Sequence, residues 1–249
     1  MKWSVVNRKE LEEVSIRLDS EFYRPEYLEN QQFIRRRSYS KLKDLTDSIK
    51  SFGAYALCNE VRYFDEGIPF VRCKDIKDGL IDFSDVLYID EDSNTLLHKS
   101  EVLPETVLMT MSGTVGNVAI ATSDLSYPIN SNQDIVKINT GDKLNPYYLY
   151  TFLQCRFGAT QLQRVPIGSI QQHIFLWQID DLEIPVFNTS FQNFIAQISK
   201  KSFYLFNSSK ACYSQAQTFL LKELDLLNWQ PKHQLSYVKT FSDTQTAGR

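Results

Sequence analysis

The feature that most constrains the fold is a stretch near the C-terminus, residues 191–227, that contains neither Pro nor Gly. Within it an apolar residue or Cys recurs every seventh position, at Ile198, Leu205, Cys212, Phe219 and Leu226. The companion positions are mostly small, and they are Ile195, Ser202, Ser209, Ala216 and Glu223. A sustained heptad stripe predicts one long α-helix over residues 190–227 that packs against another helix. The alternative is an amphipathic helix that lies on its own domain.

The chain before this helix shows a different pattern. Residues 38–189 contain short β-branched and aromatic runs separated by Gly, Pro, Asn and Asp, which predicts strands and turns. Two such runs, 107–110 and 118–121, flank a Gly-containing loop and predict a hairpin. Asn145-Pro146 predicts a helix that ends near Phe157, with Gly158 as its stop. We therefore expect an α+β, strand-rich domain over 38–189, after a helical segment over 1–37 and before a linker over 228–249.

A polar loop, Gly168-Ser169-Ile170-Gln171-Gln172, precedes an apolar run, 179–185, that predicts a short strand. Gln can form two hydrogen bonds with adenine in the major groove, and Ser can bond to bases or phosphates. The loop therefore fits a surface that reads a polar polymer. An ordinary surface loop before an edge strand is the alternative.

Composition excludes several classes of protein. Four scattered Cys and three scattered His lack the spacing of a disulfide framework or a zinc site. No apolar run is long enough to span a membrane, and the N-terminus lacks the apolar core of a signal peptide, so a cytoplasmic protein is expected. The net charge of −3 argues against a free-standing nucleic-acid binder, although it allows a DNA-reading module whose partner holds the phosphates.

Catalytic patterns are weak. Asp75-Ile76-Lys77 could belong to a nuclease metal site with Asp65 or Glu66 as the second acid, since such a site needs two acids and a Lys around a metal. Acid-x-Lys triplets are common by chance, and the three dispersed His give no nucleophile–base arrangement. The sequence therefore predicts a non-catalytic protein.

Several motifs occur together in a fairly specific order and spacing. They are Arg17-Leu18-Asp19-Ser20-Glu21-Phe22-Tyr23-Arg24-Pro25-Glu26-Tyr27, Gly67-Ile68-Pro69-Phe70-Val71-Arg72 with Asp75-Ile76 and Gly79, residues 107–110 with 112–116, Asn132-Gln133, residues 146–149 with 152–153, residues 168–171, and Leu182-Glu183-Ile184-Pro185 before Gln192. In these motifs the chain resembles the specificity (S) subunit of type I restriction–modification enzymes, and within it a single target recognition domain. The resemblance covers nearly the whole chain.

The resemblance implies a protein that reads one half of a bipartite site in double-stranded DNA. Its long helix would pair with a second such helix, from another S half or a homodimer, and would dock methyltransferase (M) subunits, with a restriction (R) subunit as a further partner. It implies no cofactor on this chain, because S-adenosylmethionine would be bound by the methyltransferase. No membrane partner is expected.

The family usually has two recognition domains and two helices, whereas this chain has one of each. An overlay of residues 4–17 on 236–249 matches Ser4 with Ser236, Val6 with Val238 and Arg17 with Arg249. These matches would fit a truncated subunit whose second repeat is beginning, and a natural half-subunit is the alternative.

The expected DNA contacts combine strand-end and loop residues. Arg and Gln are expected at base edges, and Lys and Ser at phosphates. The set comprises Arg72, Lys74, Ser112, Thr114, Gln133, Arg164, Ser169, Gln171 and Gln172. Two other functions stay open, namely a magnesium-dependent nuclease fragment that uses Asp75 and Lys77, and a helical protein-interaction scaffold.

Overall fold

The computed structural model describes residues 4–7, 11, 17, 19–51, 60–168 and 172–230. Its α-helices are α1 Pro25–Arg35, α2 Glu91–Leu96, α3 Pro146–Gln154, α4 Arg156–Arg164, α5 Leu176–Asp180 and α6 Thr189–Glu223. The first strands are β1 Tyr39–Lys41, β2 Ser48–Lys50, β3 Tyr63–Phe64, β4 Ile68–Val71, β5 Ile76–Lys77, β6 Leu80–Ile81 and β7 Leu87–Ile89. The later strands are β8 Glu101–Val102, β9 Val107–Thr110, β10 Val118–Ile120, β11 Ile129–Ser131, β12 Ile135–Asn139 and β13 Glu183–Pro185. The mixed, strand-rich α+β fold that the sequence predicts is confirmed.

Two larger sheets form the body of the fold. One has the strand order β10-β9-β12-β2, and the other has the order β3-β7-β4-β11-β8, in which β4 and β11 run parallel. The strands of both sheets are short and rich in β-branched residues, which favour extended backbone. Because these residues are apolar on both sides of a central strand, both faces of that strand can be buried. The core includes Val71, Leu108, Ile129 and Ile135, each with no exposed surface. The predicted hairpin is confirmed, because β9 and β10 are antiparallel partners.

Smaller pairings complete the unit. β5 and β6 form a hairpin whose two-residue turn is Asp78-Gly79, and both residues have positive φ, of 50° and 82°. Asp-Gly is the sequence that such a turn favours. β1 pairs antiparallel with β13, which brings the start of the strand-rich region beside its end.

The described part of the N-terminal segment contains a short 3-10 helix and α1. A 3-10 helix spans Ser20–Tyr23, and α1 begins at Pro25, which fits the first turn of a helix because Pro lacks an N–H. The Phe33 ring stacks on Phe157 with centroids 4.7 Å apart. Asn30 Nδ2 donates to the Phe157 carbonyl at 3.0 Å. These contacts attach α1 to α4.

Gly158 does not stop a helix, and that prediction is wrong. The chain turns at Cys155 and continues as α4, with Gly158 inside it. A Cβ on Gly158 would lie 2.2 Å from the Phe152 carbonyl oxygen and 2.6 Å from the Leu153 Cα. Gly is needed because α4 comes so close to the backbone of α3.

The predicted strand over residues 179–185 is partly wrong. A short helix, α5, occupies residues 176–180, and only Glu183–Pro185 form a strand. The Phe175 N–H donates to Gln178 Oε1 at 2.9 Å, which caps the first turn of α5. A local side-chain bond therefore favours a helical turn where the apolar run suggested extended chain.

The long helix is confirmed, with shifted ends. α6 spans Thr189–Glu223, and Asp225 follows with φ of 56°. The Leu226 N–H donates to the Leu221 carbonyl at 2.7 Å, an arrangement typical of a helix C-terminus. Leu226 therefore lies beyond the helix, and its predicted place in the heptad stripe is corrected.

The chain divides into two compact units, residues 1–200 and 201–249, and α6 contributes to both. Most of the predicted linker, from residue 231 onward, lies outside the described residues, as does the segment matched to the N-terminus. None of the helices described is both long enough and apolar enough to cross a bilayer.

Candidate functional site

Two loops, β9–β10 and β11–β12, meet beside the 3-10 turn Cys73–Asp75, which follows β4. Thr114 Oγ1 in the β9–β10 loop donates to the Cys73 carbonyl at 3.2 Å, and Asn117 Nδ2 donates to the Ile76 carbonyl at 2.9 Å. From the β11–β12 turn, the Asp134 carbonyl accepts from the Met111 N–H at 2.8 Å and from Cys73 Sγ at 3.5 Å. Backbone acceptors thus fix the relative positions of these loops.

A fourth segment reaches the same place. The Ile174 N–H donates to the Met111 carbonyl at 3.0 Å, and Ile167 and His173 form an isolated antiparallel bridge. Gln172, which is exposed, lies between them in sequence. We call residues 72–75, 111–117 and 132–134, together with 167–168 and 172–174, the four-segment surface.

Cys73 lies at the centre of this surface. Burial and the nearby Asp134 carboxylate raise the pKa of its thiol, and hydrogen bonds with Asn132 and Ser112 oppose that rise. A half-buried thiol with a raised pKa stays protonated at neutral pH and contributes packing and weak hydrogen bonds. Cys73 therefore joins the loops and leaves the outward positions to their polar side chains.

Arg72 is held in place by an acidic side chain. Arg72 Nε donates to Asp75 Oδ2 at 2.9 Å and Arg72 Nη2 donates to Asp75 Oδ1 at 3.1 Å, while Asp75 is only 2% exposed. The Arg72 backbone N–H donates to Asp75 as well, at 2.9 Å. This pairing fixes the plane of the guanidinium group, since two parallel bonds define an orientation.

The neighbouring lysines also have carboxylate partners. Lys74 Nζ lies 2.5 Å from Asp85 Oδ2, and this bond lowers the pKa of Asp85. Lys77 Nζ lies 3.0 Å from Asp82 Oδ2, and hydrogen bonds from Ser84 and Lys77 hold the pKa of Asp82 well below its usual range. The cations of this region are therefore largely neutralised within the chain.

Most of the predicted contact residues come together. Arg72, Lys74, Ser112, Thr114, Gln133 and Gln172 all belong to the four-segment surface. Ser169 and Gln171 lie outside the described residues. The sequence did not predict the residues that hold these side chains and loops in place, namely Asp75, Asp85 and Asn117. The acid three residues after Arg72 was the available signal for the first of these.

Arg164 is different, and the prediction that it contacts DNA is corrected. It is 8% exposed, and its guanidinium group donates to the Phe22 carbonyl at 2.9 Å and to Gln31 Oε1 at 3.0 Å. The same group lies 4.0 Å from the centroid of the Phe22 ring. Arg164 thus joins α4 to the N-terminal segment, and two of its donors are used in the fold.

The proposed nuclease residues have other partners. Both carboxylate oxygens of Asp75 accept hydrogen bonds from Arg72, and Lys77 pairs with Asp82. Within the described ranges, no group of three or more His, Cys, Asp or Glu side chains could hold a metal ion. Asp75 therefore supports Arg72 and is not available as a metal ligand.

The two sides of the first turns of α6 differ. Gln192, Ala196 and Ser199 are buried, with Asn145 N–H donating to Gln192 Oε1 at 3.0 Å and Ser199 Oγ lying 2.7 Å from Thr151 Oγ1. Ile198 lies on another side of the helix and is 53% exposed. Leu205 and Phe219 are 54% and 69% exposed, and Cys212 is exposed too. The predicted stripe is thus accessible along α6.

Comparison with known proteins supplies a family. The model of the type I restriction modification DNA specificity domain matches residues 37–215, more than half of the chain. None of the curated proteins compared with the chain matches it.

Solved structures are similar at low identity. An S subunit of a type I restriction–modification system from M. genitalium is 18% identical over 69% of this chain and 39% of its own length, with a TM-score of 0.45. The HsdS subunit from Thermoanaerobacter tengcongensis is 13% identical over 80% of this chain and 49% of its own, with a TM-score of 0.43. The type IIG restriction endonuclease BpuSI is 10% identical over 78% of this chain and 30% of its own, with a TM-score of 0.54. The chain thus spans half or less of the length of each of these proteins.

Proposed function

The chain belongs to the family of type I restriction modification DNA specificity domains, and we propose that it recognises one half of a bipartite DNA target for a type I restriction–modification enzyme. In this proposal residues 38–189 form the recognition domain and α6 is the spacer that holds it in the assembly. The chain performs no chemistry itself. It acts where the cell's DNA lies, in the cytoplasm.

The observation that carries the proposal is the convergence of four segments, distant in sequence, on one polar surface. Recognition of a base pair needs donors and acceptors at fixed positions, because the major groove presents a distinct pattern for each pair. The Thr114–Cys73 and Ile174–Met111 hydrogen bonds provide such fixed positions. The proposed base-reading residues are Arg72, Gln133, Gln171 and Gln172, and the proposed phosphate contacts are Lys74, Ser112, Thr114 and Ser169.

Arg72 is the best prepared of these residues. Asp75 already orients its guanidinium group, so less conformational freedom is lost when it binds. The Arg72 Nε and Nη2 groups donate to Asp75 and to the Asp85 carbonyl, so Nη1 is the group whose two N–H bonds can reach guanine O6 or N7, the acceptors that arginine most often reads in the major groove. We therefore assign Arg72 to a guanine.

The charge distribution supports a composite DNA clamp. The formal net charge of the chain is −3, and Lys74 and Lys77 pair with Asp85 and Asp82. Phosphate contacts supply most non-specific affinity for DNA, so this affinity must come largely from partners. We propose M subunits, which would bind S-adenosylmethionine, as the main source, with an R subunit joining the complete enzyme.

The stripe formed by Ile198, Leu205, Cys212 and Phe219 supports pairing of α6 with a second helix. Exposed apolar side chains at heptad spacing are stabilised when a second helix covers them. We propose that the second helix belongs either to another S half or to a second copy of this chain. A single recognition domain per chain is compatible with both.

Co-purification with an M subunit, followed by mapping of methylated sites, tests the proposal. We expect a complex that methylates a defined sequence, and Gln172→Ala should weaken binding of that sequence by about 1–3 kcal/mol and relax one base position. Gln32→Ala is the matched control, because Gln32 is exposed on α1, outside the four-segment surface. Failure to associate with any M subunit, or unchanged selectivity in Gln172→Ala and Arg72→Ala together, would contradict the proposal.

A further inference from the structure

A cavity of about 340 Å³ lies where the N-terminal segment meets α4, α5 and the start of β13. This volume falls in the range of small-molecule sites. All of the lining residues belong to one compact unit, residues 1–200. Three of them, Arg35, Lys41 and Trp177, are exposed, so the cavity opens to solvent.

Arg164 contributes a buried positive charge to the wall of this cavity, and it is 8% exposed. The Phe22 carbonyl and Gln31 Oε1 accept from its guanidinium group, and Phe22 and Gln31 also line the cavity. Both acceptors are uncharged, and among the ion pairs formed by described residues none includes Arg164. A buried charge is costly without an opposite charge, so an anion in the cavity would supply the partner that the fold lacks.

Three of the N–H groups of Arg164 remain for a ligand. A guanidinium group has five N–H donors, and Arg164 uses one at Nε and one at Nη1. None of the hydrogen bonds between described residues involves Nη2, yet in that part of the chain the side-chain atom that is buried without a partner is Asn132 Oδ1. Nη2 therefore keeps accessible surface, and because Arg164 lines the cavity, a ligand there can reach it.

Two carboxylates on the same wall limit the charge of the ligand. Lys41 Nζ lies 2.8 Å from Asp181 Oδ1, and Arg35 Nη2 lies 2.6 Å from Glu183 Oε1, so these pairs are already balanced. A single negative charge neutralises Arg164, whereas the second charge of a dianion would be repelled by the carboxylates. A carboxylate also matches the planar guanidinium group, with which it can form two parallel bonds.

Aromatic side chains form much of the apolar wall, namely Phe22, Tyr27 and Trp177. The guanidinium groups of Arg164 and Arg17 lie 4.0 Å and 4.5 Å from the centroid of the Phe22 ring, which they cover. Arg17 has a carboxylate partner of its own. Trp177 is 46% exposed, so its ring has surface that a second ring can cover.

We propose that this cavity binds a small aromatic monocarboxylate, whose carboxylate pairs with Arg164 and whose ring packs against Trp177. The ligand would touch the N-terminal segment as well as α4 and α5, and by binding the folded state it would stabilise the unit. The cavity shares no residue with the four-segment surface, and this proposal does not depend on DNA recognition.

The test is calorimetric titration of the full-length chain with 2-naphthoate, compared with the uncharged 2-naphthamide and the dianion 2-naphthyl phosphate. We expect 2-naphthoate to bind with a Kd about tenfold lower than either of the others. In NMR spectra its addition should move the indole N–H signal of Trp177, while that of Trp229, which is not on the cavity wall, stays in place. Equal affinities for naphthoate and naphthamide, or tighter binding of the phosphate, would overturn the proposal.

Variants assign the two contacts. Arg164→Lys keeps the charge and loses the planar fork, so the affinity for 2-naphthoate should fall about tenfold while that for 2-naphthamide changes little. Arg156→Lys, at the exposed start of the same helix, is the matched control and should bind as the wild type does.

The ring contact is tested with Trp177→Ala, which should weaken binding of both naphthoate and naphthamide several-fold. Phe175→Ala is its control, because Phe175 is also exposed and is not part of the cavity wall. Unchanged binding in Trp177→Ala, or equal losses in the variants and their controls, would refute the site. If Arg164→Lys does not fold, the comparison of naphthoate with naphthamide in the wild type still decides whether an anion is recognised.

Discussion

The Arg164→Ala variant tests whether Arg164 stabilises the fold or contacts DNA. In the wild-type chain the guanidinium group of Arg164 makes hydrogen bonds of 2.9 Å to the Phe22 carbonyl and 3.0 Å to Gln31, and stacks on the Phe22 ring. Burial lowers the pKa of Arg164 to about 10, so the side chain is still charged at neutral pH. The substitution removes all of these contacts and leaves the Phe22 carbonyl without this donor.

The expected destabilisation follows from three contributions. Two hydrogen bonds from a charged donor are worth about 5 kcal/mol together, and the stacking adds about 1 kcal/mol. The lowered pKa corresponds to a desolvation penalty of roughly 3 kcal/mol, which the variant no longer bears. The free energy of unfolding should therefore fall by about 3 kcal/mol, or roughly 6–12 °C in Tm for a unit of this size.

Thermal and urea unfolding of the purified chain measure this change, and Arg156→Ala is the control. Arg156 is the first residue of the same helix and is exposed, so its replacement should change the free energy of unfolding by less than about 0.5 kcal/mol. In the assembled complex, at a temperature where the variant stays folded, the selectivity for DNA sites should equal that of the wild type. An Arg164→Ala chain with unchanged Tm and relaxed selectivity would refute the structural role.

Three further predictions concern the helix contact, the buried lysine and the exposed stripe. Gly158→Ala should lower the free energy of unfolding by about 3 kcal/mol in urea titrations, because the added Cβ meets the α3 backbone. This loss is expected even though Ala has the better helix propensity. Equal or higher stability would contradict the close approach of α3 and α4. Lys137 of β12 is 6% exposed, and burial lowers its pKa to about 8. The pKa of Lys137 is lower in the folded chain than in the unfolded chain, so the unfolded chain binds more protons above pH 8. The free energy of unfolding of the wild type, relative to that of Lys137→Met, should therefore rise by about 2 kcal/mol from pH 8 to pH 10. A flat or falling difference would show that the lysine is not buried as described. Leu205→Glu should abolish association through α6 in light-scattering measurements, whereas Asn207→Glu, on the opposite side of the helix, should leave it intact; loss of association in both variants would argue against the stripe.

Local sequence signals were sufficient for much of the fold. The β9–β10 hairpin was predictable because strand-forming residues flank Gly113 and Gly116, and both glycines have positive φ, of 67° and 82°. The α6 helix was predictable because nothing interrupts its heptad pattern. In each case the information lies within a few neighbouring residues.

The missed features depend on distant partners. The burial of Arg164 depends on Phe22 and Gln31, which are more than a hundred positions away in the chain. Gly158 was read as a stop because its need for close backbone contact is visible only once α3 and α4 are packed. For the four-segment surface, the sequence supplied most of the residues, whereas the carboxylates that hold Arg72 and Lys74 became apparent from geometry.

The pairing of Arg72, Lys74 and Lys77 with Asp75, Asp85 and Asp82 also bears on how such a domain would search a genome. Cations that already have internal partners displace fewer counterions from random DNA, so the dwell time on incorrect sequence is short. At a matching site, base contacts supply the free energy that random sequence lacks. The acids beside the basic residues would thus favour rapid scanning, since millions of competing sites would hold the protein only briefly.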